Sequence, residues 1–423
     1  MKIIHVTNVE SFASKIIPKQ PQKNKQIVES ILKSVQKDGD AAIKKYEKKF
    51  NGAKLTSLSV SKKEIENAYK KVSKQEVSAI KLAKNRLEKT EVTVKSILKN
   101  KTINLDGIKI SKKFVPLQST GCYIPGGLAK YPSSVIMAVI PAKVAGVKRI
   151  VVTSPPNSMG KIDPLTVVAA DICGANEIFK VGGAQAIAGL SFGTRSIAKV
   201  DKIVGPGGVF VTNAKSLISD KTAIDMLAGP TELGIVADNS ANSKYIALDL
   251  ISQAEHSRDT FCFLITNSEK LAKSVNQNVA NLIKKIKRAD IVKKSLKQNG
   301  FIAICKNRSD MIKIANDLAP EHLQIMTKNP QNLASKITSS GLILIGNETP
   351  SSASDYILGS NHILPTNGFG KTRGSLSVLD FIKIDTQVHA NRASLSKISK
   401  YLDVFTKAEG LPNHFEAVRG RLK

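Results

Sequence analysis

Glu321 and His322 stand side by side, just after Pro320 and at the mouth of the apolar run Leu323-Gln324-Ile325-Met326. A carboxylate can activate water and a neutral imidazole accepts a proton near pH 7. The pair therefore sets two general bases of different strength at one location. Pro320 restrains the backbone immediately before them. The competing reading is a solvated surface turn.

The chain has only six histidines, so the company each keeps is informative. His256 closes Gln253-Ala254-Glu255-His256 in a segment expected to be helical. There the i, i+3 spacing turns Gln253 and His256 to one face and Glu255 away. His362 follows Asp355-Tyr356 at short range, and His414 lies near the C-terminal end. Gln253, His256, Asp355 and His414 offer one amide oxygen, two imidazoles and one carboxylate, a set suited to zinc. With a single anionic ligand the ion stays a strong Lewis acid. No HExxH or paired-cysteine pattern accompanies them, and four ordinary polar surface residues are the alternative. His5 and His389 have no such neighbours and read as structural. Cys122, Cys173, Cys262 and Cys305 lie far apart without a CxxC pair, which argues against a disulfide framework or a thiolate zinc site. Cys122, beside glycines in an expected loop, is the one candidate nucleophile, and a small core residue is the favoured reading.

Elements must bring these residues together. Residues 24–50, broken at Asp38-Gly39-Asp40, and 61–95 alternate charged and apolar positions at helical spacing. Short β-like runs at 108–110 and 114–117 follow, then a loop at 121–127. Strand-like runs at 149–153, 177–181 and 202–204 alternate with apolar-faced helices, as in a parallel sheet with crossover helices. A second such series comprises 232–237, 261–265, 301–305 and 342–346, so two similar doubly wound lobes are expected. Glycine turns at 182–183 and 205–208 could admit a phosphate at a helix start, although neither is a GxGxxG fingerprint and Gly370-Lys371-Thr372 fails the P-loop pattern. Residues 390–409 form a helical tail too short for its own core, so it must dock on something, a partner subunit being one candidate.

The 423 residues are 42% hydrophobic, enough for a sizeable core and about three average domains. No apolar run is long enough to cross a membrane, and the N-terminus opens as a strand rather than a signal peptide, so a cytoplasmic protein is expected. The 64 Lys and Arg against 34 Asp and Glu leave a net charge of +30, which raises nucleic acid as a partner. Only ten of the 64 are Arg, Trp is absent, and Lys is spread over every amphipathic segment, which reads as a solvated surface instead.

Cys122-Tyr123-Ile124-Pro125-Gly126-Gly127, Gly182-Gly183-Ala184-Gln185, Val204-Gly205-Pro206-Gly207, Ala228-Gly229-Pro230-Thr231-Glu232, Gln253-Ala254-Glu255-His256, Ala319-Pro320-Glu321-His322, Asn361-His362-Ile363-Leu364-Pro365-Thr366 and Gly410-Leu411-Pro412-Asn413-His414 resemble, in order, the motif set of the histidinol dehydrogenase family. The resemblance covers nearly the whole chain. It implies two incomplete Rossmann-like lobes in an aldehyde-dehydrogenase-like arrangement, with a helical N-terminal region and a small helical C-terminal tail. The expected division is an arm at 1–22, a first lobe at 23–122 and 231–375 carrying the catalytic and metal residues, a nucleotide-binding lobe at 123–230 and the tail at 376–423.

Zinc is implied on Gln253, His256 and Asp355, with His414 supplied across an intertwined homodimer. Glu321 and His322 are implied as the proton acceptors. The amino alcohol is implied to meet Thr231, Gln253, His256, His322, Asp355, His362, Glu409 and His414, with Glu409 also reaching the neighbouring subunit's site. NAD is implied at Tyr123, Gln185 and Gly208. Gly208 stands where the family commonly has Asn, so the backbone is left to meet the cofactor there. Thr231 replaces a common Ser and keeps the hydroxyl. The reaction implied is L-histidinol to L-histidine through L-histidinaldehyde. A zinc hydrolase using Glu321 as water base is the alternative.

Overall fold

The computed structural model describes residues 1–18, 24–126 and 130–422. Residues 19–22 of the expected N-terminal arm, residue 23 of the expected first lobe and Gly127 of the glycine loop lie outside the described residues. In chain order the strands are β1 (Lys2–His5), β2 (Lys101–Leu105), β3 (Ile108–Pro116), β4 (Ser119–Tyr123), β5 (Arg149–Ser154), β6 (Glu177–Lys180), β7 (Lys202–Val204), β8 (Ala223–Ile224), β9 (Glu232–Ala237), β10 (Phe261–Thr266), β11 (Phe301–Ile304), β12 (His322–Met326), β13 (Leu342–Ile345) and β14 (Ile382–His389).

Two parallel sheets carry the fold, in the orders β6-β5-β4-β7-β8 and β1-β11-β10-β9-β12-β13. With the edge strand β1 set aside, each series runs third, second, first, fourth, fifth in its own order of appearance. The expected pair of similar doubly wound lobes is what the chain forms. The central strands β9 and β10 are buried throughout, as a sheet covered on both faces requires. Leu250, Val275 and Leu296 cover one face of the six-stranded sheet, and Phe12, Ile314 and Leu333 the other. Phe263 and Phe301 stack at 5.1 Å between centroids, and Gly234 is required beside them because a Cβ there would come within 2.7 Å of the Phe263 ring.

The helical readings of the N-terminal third hold, as does the break at Gly39, while 61–95 divides into two helices. Lys25–Asn51 is interrupted at Gly39, whose φ of 54° suits glycine. Lys62–Tyr69 and Lys74–Ser96 each begin in a capping box, Ser61 with Glu64 and Ser73 with Glu76.

Their lobe was misassigned. Val28, Ile31 and Val35 pack against Ile187 and Leu190, and Ile80, Ala83 and Leu87 join the cluster of Val135 and Val139, so both segments cover the five-stranded sheet rather than the six-stranded one. An amphipathic stripe states that a face is buried, not which sheet buries it.

Other boundaries shift as well. The presumed arm contains β1, an edge strand paired in parallel with β11. Gly121, Cys122 and Tyr123 belong to β4 inside the sheet rather than to a loop, and burial pushes the Cys122 thiol far above its ordinary range, as befits a core residue. Ile363 and Leu376 pack with the helix Pro132–Ala145, so the chain crosses between the lobes before residue 375.

The tail is not all helix. It opens with β14, which pairs antiparallel with β3 in the three-stranded sheet β14-β3-β2. The helices Arg392–Ala408 and Pro412–Leu422 follow. Ile384, Val388, Val404 and Phe405 are each more than 60% exposed on this extension. Among the described residues no helix is long and apolar enough to cross a membrane.

Candidate active site

Strand order reverses between β4 and β7, and ligand crevices of open α/β sheets form outside the carboxyl ends at such points. Gly205 follows β7 with φ 115°, directly against Tyr123 O, so a side chain at 205 would collide with the end of β4. Its N–H donates to Asp225 Oδ2 at 2.7 Å and its carbonyl accepts from Lys215 Nζ at 3.0 Å. Lys215 and Asp225 are themselves a buried ion pair, so the turn is gripped by both of its peptide groups. It ends at Gly208, the N-cap of Val209–Ile218, with nothing within 4 Å of the position a Cβ would take.

The six-stranded sheet meets this crevice with its opposite end. Thr231 precedes β9 and Glu321 precedes its neighbour β12, so both stand at amino ends. The helix Ser243–Ala254 returns along β9 and delivers Gln253 to the same edge. Glu255 caps it, so His256 lies one residue past the helix rather than within it. The turn persists, and both side chains reach one cavity. That cavity, of about 330 Å³, runs from Gly205–Gly208 and Pro125 on one lobe to Glu321, His322, Asp355 and His362 on the other.

Hydrogen bonds assign each side chain a free end. Glu321 Oε2 accepts from Thr231 Oγ1 at 2.5 Å and from the N–H of Glu232 at 2.8 Å, which leaves Oε1 as the working oxygen. Gln253 Nε2 donates to Thr231 Oγ1 at 2.8 Å, which leaves its carbonyl oxygen. His256 Nδ1 stands 3.1 Å from Gln253 O, a group that only accepts, so Nδ1 carries the proton and Nε2 the lone pair. The same argument places a proton on His362 Nδ1, 2.6 Å from Asp355 O, and on His322 Nδ1, 3.2 Å from Glu232 O.

The second nitrogen of His322 lies 3.2 Å from Asp355 Oδ1, an acceptor again. Burial disfavours charge on His322, but the Glu321 carboxylate and the Asp355 hydrogen bond outweigh it and push the imidazole up to about 10. Both of its ring nitrogens face acceptors, an arrangement that favours the protonated ring. Asp355 is held below its usual value because His322 overcomes the cost of burial.

Glu321 and His322 are thus buried, at 8% and 2% exposure, rather than solvated on a turn. Three of the four proposed zinc donors line the same cavity; His414 does not, and together with Glu409 it lies exposed on the tail. Among the described residues no group of three His, Cys, Asp or Glu converges as a complete metal site. An amide oxygen, an imidazole Nε2 and a carboxylate on one cavity wall are nonetheless donor types that zinc takes.

Of the proposed NAD residues only Gly208 lies on the cavity wall. Tyr123 is buried, its hydroxyl accepting the N–H of Gly183 at 3.1 Å, and Gln185 donates to the buried Glu47 at 2.7 Å. His5 and His389 lie outside the cavity.

Sequence reasoning passed over two participants. Ser134 Oγ meets His362 Nε2 at 3.2 Å, and Glu232 binds both Glu321 and His322. Ser134 sits in a uniformly apolar helix and Glu232 reads as the first residue of a strand, so neither had a spacing to betray it.

Residues 17–422 match the family described as histidinol dehydrogenase. A histidinol dehydrogenase of Methanococcus maripaludis is 44% identical over 396 residues, 93% of this chain and 92% of its own. One from Oceanobacillus iheyensis is 42% identical over 403 residues, 94% of each chain. The crystal structure of histidinol dehydrogenase from Elizabethkingia anophelis superposes with a TM-score of 0.95 at 35% identity, covering 100% of this chain and 98% of that one.

Proposed function

The chain belongs to the histidinol dehydrogenase family, and on that premise we propose that it oxidises L-histidinol to L-histidine through L-histidinaldehyde, reducing two NAD and consuming one water. The observation that carries the reading is the convergence of Glu321, His322, Gln253, His256 and Asp355 on one cavity at the switch point of the five-stranded sheet.

Gln253, His256 and Asp355 would hold zinc together with the partner subunit's His414. The exposed His414 and the uncovered apolar residues of the tail support such a homodimer, with Glu409 arriving alongside. Zinc would orient the amino alcohol and supply Lewis acidity, and NAD would accept the hydrides.

The chain's own groups move the protons. His322 keeps Nδ1–H on Glu232 O, so Nε2 is the end that faces the substrate. A ligand engaging Asp355 removes the contact that holds a proton on Nε2 and frees it to take the hydroxyl proton. In the second oxidation Glu321 Oε1 takes a proton from the water that attacks the aldehyde, while Thr231 and Glu232 hold Oε2 still. His322 then deprotonates the hydrate. Thr231 and His362 line the space left for the amino alcohol, and Gly208 offers its backbone to the cofactor.

The test is NADH formed per histidinol consumed, before and after chelation and after zinc is restored. Two NADH per histidine, lost and regained with zinc, is expected. Turnover unaffected by exhaustive chelation, or none in zinc-loaded protein, would overturn the reading.

A further inference from the structure

Glu232 serves the scheme above through its backbone alone, and its buried carboxyl is left without a task. It opens β9, is 7% exposed, and is not part of the cavity wall. Its polar groups all go to the machinery. Oε2 accepts the N–H of Glu321 at 3.1 Å and Oε1 the N–H of Asn367 at 2.9 Å. Its own N–H donates to Glu321 Oε2 at 2.8 Å, and its carbonyl accepts from His322 Nδ1 at 3.2 Å. One residue thereby touches the peptide and the carboxylate of Glu321, the ring of His322, and the segment that carries His362.

The type of side chain follows from counting acceptors. Two backbone N–H donors arrive at two oxygens of one group. A carboxyl group satisfies both, whereas an amide satisfies one and turns its NH₂ against the other. Burial, with the charge of Glu321 adding to it, pushes Glu232 up to about 8.

Resting on the reading above, we propose that Glu232 is a positioning residue that holds Glu321 with Oε1 aimed at the aldehyde's water and ties that placement to the His362 segment. Glu232→Gln is the test, read on each half-reaction separately. Oxidation of histidinaldehyde should fall about tenfold or more in kcat, with the alcohol step affected less. Adding Glu232→Gln to Glu321→Gln should cost the aldehyde step nothing further, because no base is left to position. Multiplicative losses in the double variant would overturn the proposal.

Amide hydrogen exchange decides the point without catalysis. Peptides spanning 320–323 and 365–369 should lose protection in Glu232→Gln while the β10 peptide keeps it, and unchanged exchange at both would overturn the proposal. A wild-type protein inert to histidinol would defeat the proposed function while the exchange result still decided the role of Glu232. If the Gln variant does not fold, Glu232→Asp keeps two acceptors one methylene shorter. It should slow the aldehyde step more than the alcohol step, and equal slowing would overturn the proposal.

Discussion

Replacing Glu321 by Gln removes a base while leaving its anchor. In the native site Oε2 takes both donors, Thr231 Oγ1 and the N–H of Glu232. The carbonyl oxygen of Gln accepts the same two, so the cost to the fold is the weakening of two charge-assisted bonds, about 1 kcal/mol. The amide NH₂ then replaces Oε1, the oxygen left for water, and cannot take a proton. General-base contributions of roughly 10²- to 10⁴-fold correspond to about 3–5 kcal/mol of barrier. Aldehyde oxidation should fall by that factor while histidinol oxidation to the aldehyde falls less than about tenfold. Single-turnover experiments started from histidinol and from histidinaldehyde separate the two steps, and an amine trap should collect aldehyde from the variant. Equal loss at both steps would refute the separate assignment of Glu321 to water.

Thr231→Val takes one donor from Glu321 and the acceptor from Gln253 Nε2, so stability should drop by about 1–3 kcal/mol and kcat/KM for histidinol should fall, while Thr231→Ser retains both; a calorimetric scan with a rate measurement checks it. Glu91 accepts the N–H of Val378 at 2.6 Å, and burial pushes it up to about 7 from 4.5. Since the folded value exceeds the unfolded one, its contribution is complete below pH 4.5 and is lost as pH rises through 7, a change of about 3 kcal/mol. Glu91→Gln should flatten that part of a denaturant-midpoint profile, and an unchanged slope would contradict the assignment. Lys215→Met strands the Asp225 charge, which should cost about 3–5 kcal/mol and raise KM for NAD more than KM for histidinol, with Asp225→Asn in the same chain restoring part of the stability.

The runs 149–153, 177–181 and 202–204 were legible as strands by their apolar character and their proline or glycine turns, and the two-lobe architecture followed from the rhythm they share with 232–237, 261–265, 301–305 and 342–346. Glu321-His322 was legible as chemistry because two base types adjoin, yet its burial was not, since that depends on β9 and β13 flanking β12. The helices 25–51 and 74–96 announced buried faces without naming the sheet that buries them. β14 was read as part of a helical tail because its partner β3 lies some 270 residues away, with registers such as Lys112 opposite Thr386 that no local pattern encodes. The grip of Lys215 and Asp225 on Gly205 is likewise tertiary, since nothing in a lysine on a short helix states that it is buried. His414 is exposed and away from the cavity, so in the proposed reading it would reach a site only from a second copy.

Mixing two inactive variants tests most directly that this cavity, completed by a partner's tail, is the oxidising site. Chains carrying His414→Ala and chains carrying Glu321→Gln, unfolded together and reassociated, form heterodimers in which one site has both defects and the other has neither. The mixture should recover about a quarter of wild-type histidine formation from histidinol, since half the dimers are mixed and one of their two sites is whole. Activity no higher than that of the separate variants would contradict a site shared between subunits.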